Sequence, residues 1–167
     1  MGAQMASDAV RIPSHRHQTP PQGPSTLLSR AFRSPPVKFQ LIDQVLESTP
    51  EKVVAIKNVT SAEEYLADHF PSFPVLPGVF MLEAMIQAAR TLLEQQGHPR
   101  MMLGEVRALR YGTFVRPGES LRVEVALQKQ LEGAFVFKGQ GVRLRQDDDA
   151  EPATAVSGRF TMRALMP

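Results

Sequence analysis

"VFMLEAMIQAARTLLEQ", residues 79–95, decides the architecture. Eleven of its seventeen residues are apolar, from Val79 and Phe80 to Leu92 and Leu93. They cover most of a helical circumference. Glu83, Gln87, Arg90 and Glu94 fall at i, i+4, i+7 and i+11, a narrow polar stripe along one face. A helix this apolar is expected to be buried on nearly all sides. Gly97 and Pro99 end it.

Working outward, the preceding "HFPSFPVLPG" (residues 69–78) cannot be regular, because Pro71, Pro74 and Pro77 each lack a donor and fix φ. Further upstream, "FQLIDQVLE" (Phe39–Glu47) reads as a strand with a short helical lead-in, "STPEK" as a turn and "KVVAIKNV" (Lys52–Val59) as a β-branched strand. "TSAEEYLAD" carries Ser61 and Glu64 at capping-box spacing, which predicts a short helix or turn before His69. Downstream the chain reads as strands. "GEVRALRYGTF" leads to a turn at Arg116–Glu119. "SLRVEVALQKQ" places Leu121, Val123, Val125 and Leu127 on one face. "AFVFKGQGVRLR" carries two glycines that mark a bend or close packing, and "TAVSGRFTMRAL" closes the set. One buried helix followed by consecutive antiparallel strands indicates an α+β fold, a sheet wrapped around a helix.

The chain has 167 residues and 43% apolar content, enough for one domain with a substantial core. It contains neither cysteine nor tryptophan. That excludes disulfides, thiolate chemistry and cysteine-based metal sites; no cofactor or metal is expected. No apolar run has the length of a spanning helix and the N-terminus lacks the apolar centre of a secretory signal, so the expectation is no membrane and a cytoplasmic setting. Residues 1–33 hold four arginines against Asp8, net +3; the rest holds 15 basic and 16 acidic residues, net −1. Because the positive excess sits in the tail, no nucleic-acid partner is expected. Rich in Pro, Ser, Gln and Gly, residues 1–33 are expected to be a disordered tail carrying the solvated His15 and His17. Residues 34–167 form the single domain. "QDDDAEP" (residues 146–152) reads as a solvated acidic hairpin end.

Chemistry concentrates at the start of the helix. The first turn leaves backbone N–H groups unpaired and carries positive partial charge, so Gly78 and Val79 form a terminus able to bind an oxygen that becomes negative. Glycine at 78 allows close approach to the backbone. Glu83 lies just over one turn inside, in apolar surroundings expected to raise its pKa. His69 is a base suited to neutral pH. A lone loop histidine is more often just hydrogen-bonded, and a lone helical glutamate just solvated. The prolines around His69 and the isolation of Glu83 favour the chemical reading: proton abstraction beside a carbonyl, with protonation of a departing group.

"DHFPSFPVLPGVFMLEAMIQA" resembles the β-hydroxyacyl-acyl-carrier-protein dehydratases of fatty-acid synthesis, of hotdog fold. His69, Phe70, Pro71, Pro74, Pro77, Gly78, Val79, Glu83, Ala84 and Gln87 match their motif in register. "RYGTFVRPGESLRVEV" and "GAFVFKGQGVRL" resemble later family segments, so the likeness spans roughly residues 37–165. The resemblance implies a long helix in a curled antiparallel sheet. It implies homodimers, commonly as trimers of dimers, whose active sites join His69 of one protomer to Glu83 of the other. His69 would be the base and Glu83 the group that protonates or binds the leaving β-hydroxyl. The Val79 amide, with Gly78, would polarise the thioester carbonyl. Gln87 would support Glu83 from one turn below. Tyr111 would line or gate the acyl tunnel, or else pack in the core. Acyl carrier protein is the implied partner, and because it is acidic, Arg107, Arg110, Arg116 and Arg122 are candidates to dock it. Their alternative is a salt-bridged strand surface. Two residues depart from the motif. Ser72 replaces a glycine, a strained exchange if φ is positive there. Asp68 replaces another, where its carboxylate either turns toward His69 or faces water. A hotdog acyl-thioesterase and a non-catalytic acyl-binding subunit are the competing readings.

Overall fold

The computed structural model describes residues 39–145 and 152–165. The tail of residues 1–33, His15, His17 and nearly all of the acidic stretch lie outside the described residues, as does the domain boundary expected at 34.

The elements are β1 (Gln44–Ser48), β2 (Lys52–Asn58), a 3-10 turn (Glu64–Ala67), α1 (Gly78–Gln95), β3 (Met101–Tyr111), β4 (Ser120–Leu131), β5 (Ala134–Leu144) and β6 (Ala153–Ala164). All strand pairings are antiparallel, and the six form one sheet in the order β1-β2-β4-β5-β6-β3. The helix packs on one face of this curled sheet, which is the hotdog architecture. No helix among the described residues is long and apolar enough to cross a membrane.

Strand alternation builds the core. Leu121, Val123 and Val125 of β4, Phe135 and Phe137 of β5, and Val156, Phe160 and Met162 of β6 point inward against Met81, Met85, Ala88, Ala89, Leu92 and Leu93 of α1. A bulge between Leu127 and Lys129 ends the clean alternation of β4, so Leu127 is only half-buried. The two glycines of β5 are close-packing sites. A Cβ on Gly139 would lie 2.6 Å from Sδ of Met85, and one on Gly141 would lie 2.6 Å from Cγ1 of Val156. Gly139 thus makes room for the helix through Met85, and Gly141 for the side chains of the neighbouring strands.

Four local expectations change. First, Val79, counted among the apolar residues of a helix buried on nearly all sides, is 63% exposed at the start of α1, while the stripe residues Glu83, Gln87 and Arg90 are half-buried. Second, Phe39–Asp43 contains no helical turn. Oε1 of Gln87 accepts the Leu41 N–H (2.8 Å) and Nε2 donates to the Phe39 carbonyl (3.1 Å), so side-chain bonds replace those of a helix. Leu41 and Ile42 then bury themselves and anchor the otherwise exposed β1. Third, Ser61 and Glu64 form no capping box. The 3-10 turn has Glu63 at its cap, with no side-chain cap bond, and the Glu63 carboxylate instead pairs with the buried Lys57 at 2.6 Å. Fourth, β3 begins at Met101, three residues earlier than the sequence suggests.

Candidate active site

His69 leaves the 3-10 turn and enters a loop tied together by backbone bonds. The Val75 N–H donates to the His69 carbonyl (3.1 Å), and Nδ1 of His69 lies 3.2 Å from the Val75 carbonyl. A carbonyl only accepts, so Nδ1 carries the proton and Nε2 keeps a lone pair. Inside this clamp, Phe70 and Phe73 exchange backbone bonds around Pro71 and Ser72. Leu76 donates to the Val115 carbonyl (2.8 Å), fixing the loop to the strand side. Ser72 is exposed and is not among the residues with positive φ, so the strain foreseen there is absent. Asp68 is exposed and forms no ion pair among the described residues; it faces water.

The loop ends at Pro77, the helix N-cap residue. The N–H groups of Phe80 and Met81 both donate to the Pro77 carbonyl. The N–H groups of Gly78 and Val79 are the ones this terminus leaves without an intrahelical acceptor. Gly78 and Val79 line a largely apolar cavity of about 440 Å³ together with His69, Phe70, Tyr111 and Phe114. Tyr111 is not a core residue. It is half exposed, and partial burial raises its hydroxyl above the ordinary tyrosine value. Its ring covers Gly78: a Cβ there would sit 2.8 Å from Cε1 of Tyr111. The close approach that requires glycine at 78 is therefore made by Tyr111 itself. Phe70 stacks beside the His69 ring at 4.4 Å, while Phe73 meets Phe114 edge to face at 5.7 Å. Sequence reasoning did not assign Phe114 to the site. An aromatic two residues before the Arg116–Glu119 turn was the available signal, and it is 56% exposed.

Glu83 does not line this cavity. Nor is it isolated among apolar groups. Its Oε1 accepts from Nη1 of Arg90 (3.0 Å) and from Nε2 of Gln87 (3.2 Å). Nε of Arg90 also reaches the Met101 carbonyl at 3.3 Å. The apolar setting behind the pKa expectation is thus replaced by an ion pair and an amide bond. Within one chain the structure gathers His69, Gly78, Val79 and Tyr111 at one cavity, and Glu83 with Gln87 and Arg90 elsewhere on the helix.

The four arginines separate. Arg107 pairs with Glu105 (2.8 Å) and Arg122 with Glu124 (3.4 Å). Arg116 stacks over the Phe73 ring at 4.7 Å. Arg110 has no ion-pair partner among the described residues.

The chain is similar to several known proteins. A 3-hydroxyacyl-[acyl-carrier-protein] dehydratase FabZ from Shewanella woodyi is 41% identical over 108 residues, covering 61% of this chain and 71% of the relative. The FabZ of Clostridium perfringens is 42% identical over 103 residues, covering 59% and 73%. Among solved structures, the dehydratase heterocomplex ApeI:P of Xenorhabdus doucetiae matches with a TM-score of 0.57 and 21% identity, over 76% of this chain and 84% of that one. A hypothetical thioesterase from Streptococcus pneumoniae, solved with coenzyme A, matches at 0.55 and 12%, over 73% and 84%. Both structures share the fold. The family model for the FabA-like domain matches residues 34–149, and the chain belongs to that family.

Proposed function

We propose that this protein is a lyase that removes water from 3-hydroxyacyl thioesters of acyl carrier protein, giving trans-2-enoyl thioesters. The observation that carries the reading is the shared cavity. A histidine with Nε2 free to take a proton lines the same apolar space as two unpaired N–H groups at a helix terminus.

In this reading the thioester carbonyl oxygen accepts from the Val79 amide, with Gly78 beside it, so the negative charge that develops on α-deprotonation meets a positive helix end. His69 takes the α-proton through Nε2 while its Nδ1–H stays on the Val75 carbonyl, which holds the ring in the productive tautomer. The C–O bond to the β-hydroxyl then breaks. Oε2 of the partner subunit's Glu83 binds the leaving β-hydroxyl, and the α-proton held on Nε2 of His69 passes to it, so that it departs as water and both side chains end as they began. Gln87 and Arg90 tie up Oε1 of Glu83, leaving Oε2 for the substrate. Tyr111 and Phe114 line the acyl path. The exposed Val79 and Phe70 beside the cavity, and the absence of Glu83 from its lining, support a homodimer; trimers of such dimers extend the same reading.

The test is turnover of a 3-hydroxyacyl thioester to its 2-enoyl product. His69→Ala and Glu83→Gln should each abolish it, and refolding the two inactive variants together should restore activity in mixed dimers. Full activity in either variant, no recovery on mixing, or release of free acid in place of enoyl product would overturn the reading.

A further inference from the structure

Side chains alternate faces along a strand, so the inward positions of β5 run Phe135, Phe137, Gly139, Gly141 and Arg143. The first four are buried core. The fifth, paired with the buried Leu121 of β4, sets a guanidinium on the helix side of the sheet with only 16% of its side chain exposed. Its Nη1 donates to Oγ1 of Thr113 at 2.9 Å. Its Nε is buried and has no hydrogen-bond partner among the described residues. Glu119 supplies opposite charge at 3.9 Å, but both of its oxygens are engaged elsewhere. Oε1 accepts from Nε of Arg145 at 2.9 Å, and Oε2 accepts from the Arg116 N–H at 2.8 Å. A guanidinium this deep with so few bonds is a cost to the fold. The group it does bond belongs to Thr113, which lines the His69 cavity.

The backbone around Thr113 is held firmly. Its N–H donates to the Thr154 carbonyl (3.0 Å), the Gly112 N–H donates to the Ala155 carbonyl (2.9 Å), and the Val115 carbonyl accepts from Leu76. A Cβ on Gly112 would collide with the Thr154 carbonyl, so this segment lies tight against β6. Oγ1 of Thr113 accepts from a cation, which polarises its O–H into a stronger donor. Among the described residues that hydrogen has no acceptor. Ala155, Val75, Leu76 and Met81 line the same cavity and are buried, so they form its closed, apolar side. The arm that joins a thioester to its carrier must reach solvent, which leaves the closed side to the acyl chain.

We infer that Thr113, set by Arg143, selects acyl chains that carry an oxygen acceptor, a keto or hydroxyl group, beyond the β-carbon. The inference rests on the reaction proposed above; the Arg143–Thr113 pair stands independently of it. A plain hydrocarbon chain would leave the donor unpaired in apolar surroundings, and that loss separates the two substrates. Thr113 touches the chain, and Arg143 is a positioning residue that acts through it.

The experiment assays wild type, Thr113→Val, Thr113→Ser, Arg143→Met, Arg143→Lys and the double variant Thr113→Val/Arg143→Met on N-acetylcysteamine thioesters. The acyl groups are a saturated 3-hydroxyacyl chain and chains of equal length with one keto oxygen at successive carbons beyond the β-carbon. Wild type should prefer one of the keto chains in kcat/KM by roughly tenfold, the worth of one bond from a polarised donor. Thr113→Val should erase that preference through KM with little change in kcat, and Thr113→Ser should keep it. Arg143→Met should weaken the preference and Arg143→Lys should keep part of it. The double variant should match Thr113→Val alone, because Arg143 acts through the hydroxyl. No preference for any keto chain in wild type, a preference that survives Thr113→Val, or a loss that falls equally on saturated and keto chains would overturn the inference. If wild type dehydrates none of these substrates, the proposed function fails. Calorimetric binding of the matching acyl thioethers, saturated and keto, to wild type and Thr113→Val then decides the selectivity on its own.

Discussion

Gln87→Met removes a set of bonds that joins the fold to the site. The Gln87 amide holds the Leu41 N–H, the Phe39 carbonyl and Glu83 at 2.8, 3.1 and 3.2 Å. Methionine matches its length and can pack in its place, but it replaces none of these bonds. Phe39 is exposed, so water can satisfy its carbonyl, and Glu83 keeps Arg90. The cost therefore centres on Leu41, which is 2% exposed and whose N–H loses its acceptor. An unsatisfied buried donor costs about 1–3 kcal/mol. At about 2 kcal/mol the folded-to-unfolded ratio falls roughly 30-fold. Urea denaturation should show this as a midpoint lowered by about 1 M with an unchanged slope. Protein concentration must be matched, because the stability of the proposed dimer would depend on it. Amide exchange supplies a local readout: Leu41 should lose protection first. A midpoint equal to wild type with Leu41 still protected would refute the assignment of Gln87 as the clamp on the 39–41 segment.

Other perturbations separate the remaining arguments. The Tyr65 hydroxyl is buried without a hydrogen-bond partner among the described residues, and burial followed by the Glu63 carboxylate pushes it well above the ordinary tyrosine value. A folded value above the unfolded one near 10 means its contribution is full below about pH 10 and is lost as pH rises through the alkaline range. Tyr65→Phe should gain about 1 kcal/mol near neutral pH and flatten that alkaline decline, both read from melts between neutral pH and pH 11. Gly141→Ala would set a methyl 2.6 Å from Val156 and 2.9 Å from Leu121, both fully buried. Overpacking of about 1–3 kcal/mol outweighs a backbone gain of about 0.4–1 kcal/mol, so urea titration should show net destabilisation. Ser72→Gly should relieve nothing, because Ser72 does not occupy positive φ; a small loss of up to about 1 kcal/mol is expected, and a gain in melting temperature would contradict that backbone assignment.

Much of the architecture was legible because it depends on periodicity. The helix at 79–95 differs from the observed one by a single residue at its start, and β4 to β6 lie within a residue of the sequence reading, while β3 is shifted by three. Errors fell where a distant side chain intervened. Gln87 draws Phe39 and Leu41 into bonds from 48 and 46 residues away, and no local pattern reports that. The 3-10 turn starts at Glu64 with Glu63 at its cap, so Ser61 and Glu64 do not stand at cap and third position, and Glu63 pairs with Lys57 instead. At the site, the proline loop, Gly78 and His69 were readable from composition and spacing alone. The role of Gly78 was not: its missing side chain makes room for Tyr111, a contact between residues far apart in sequence.

The sequence by itself determined the helix, the strand set, the family likeness and the two candidate catalytic residues, because each is a matter of local chemistry or of short, ordered spacing. Tertiary structure alone decided which groups meet. It placed His69 at a cavity with the helix terminus, took Glu83 out of that cavity and gave it to Arg90 and Gln87, and set Arg143 of β5 against the hydroxyl of Thr113. Such encounters depend on strand order and register, which bring together residues that no window along the chain contains.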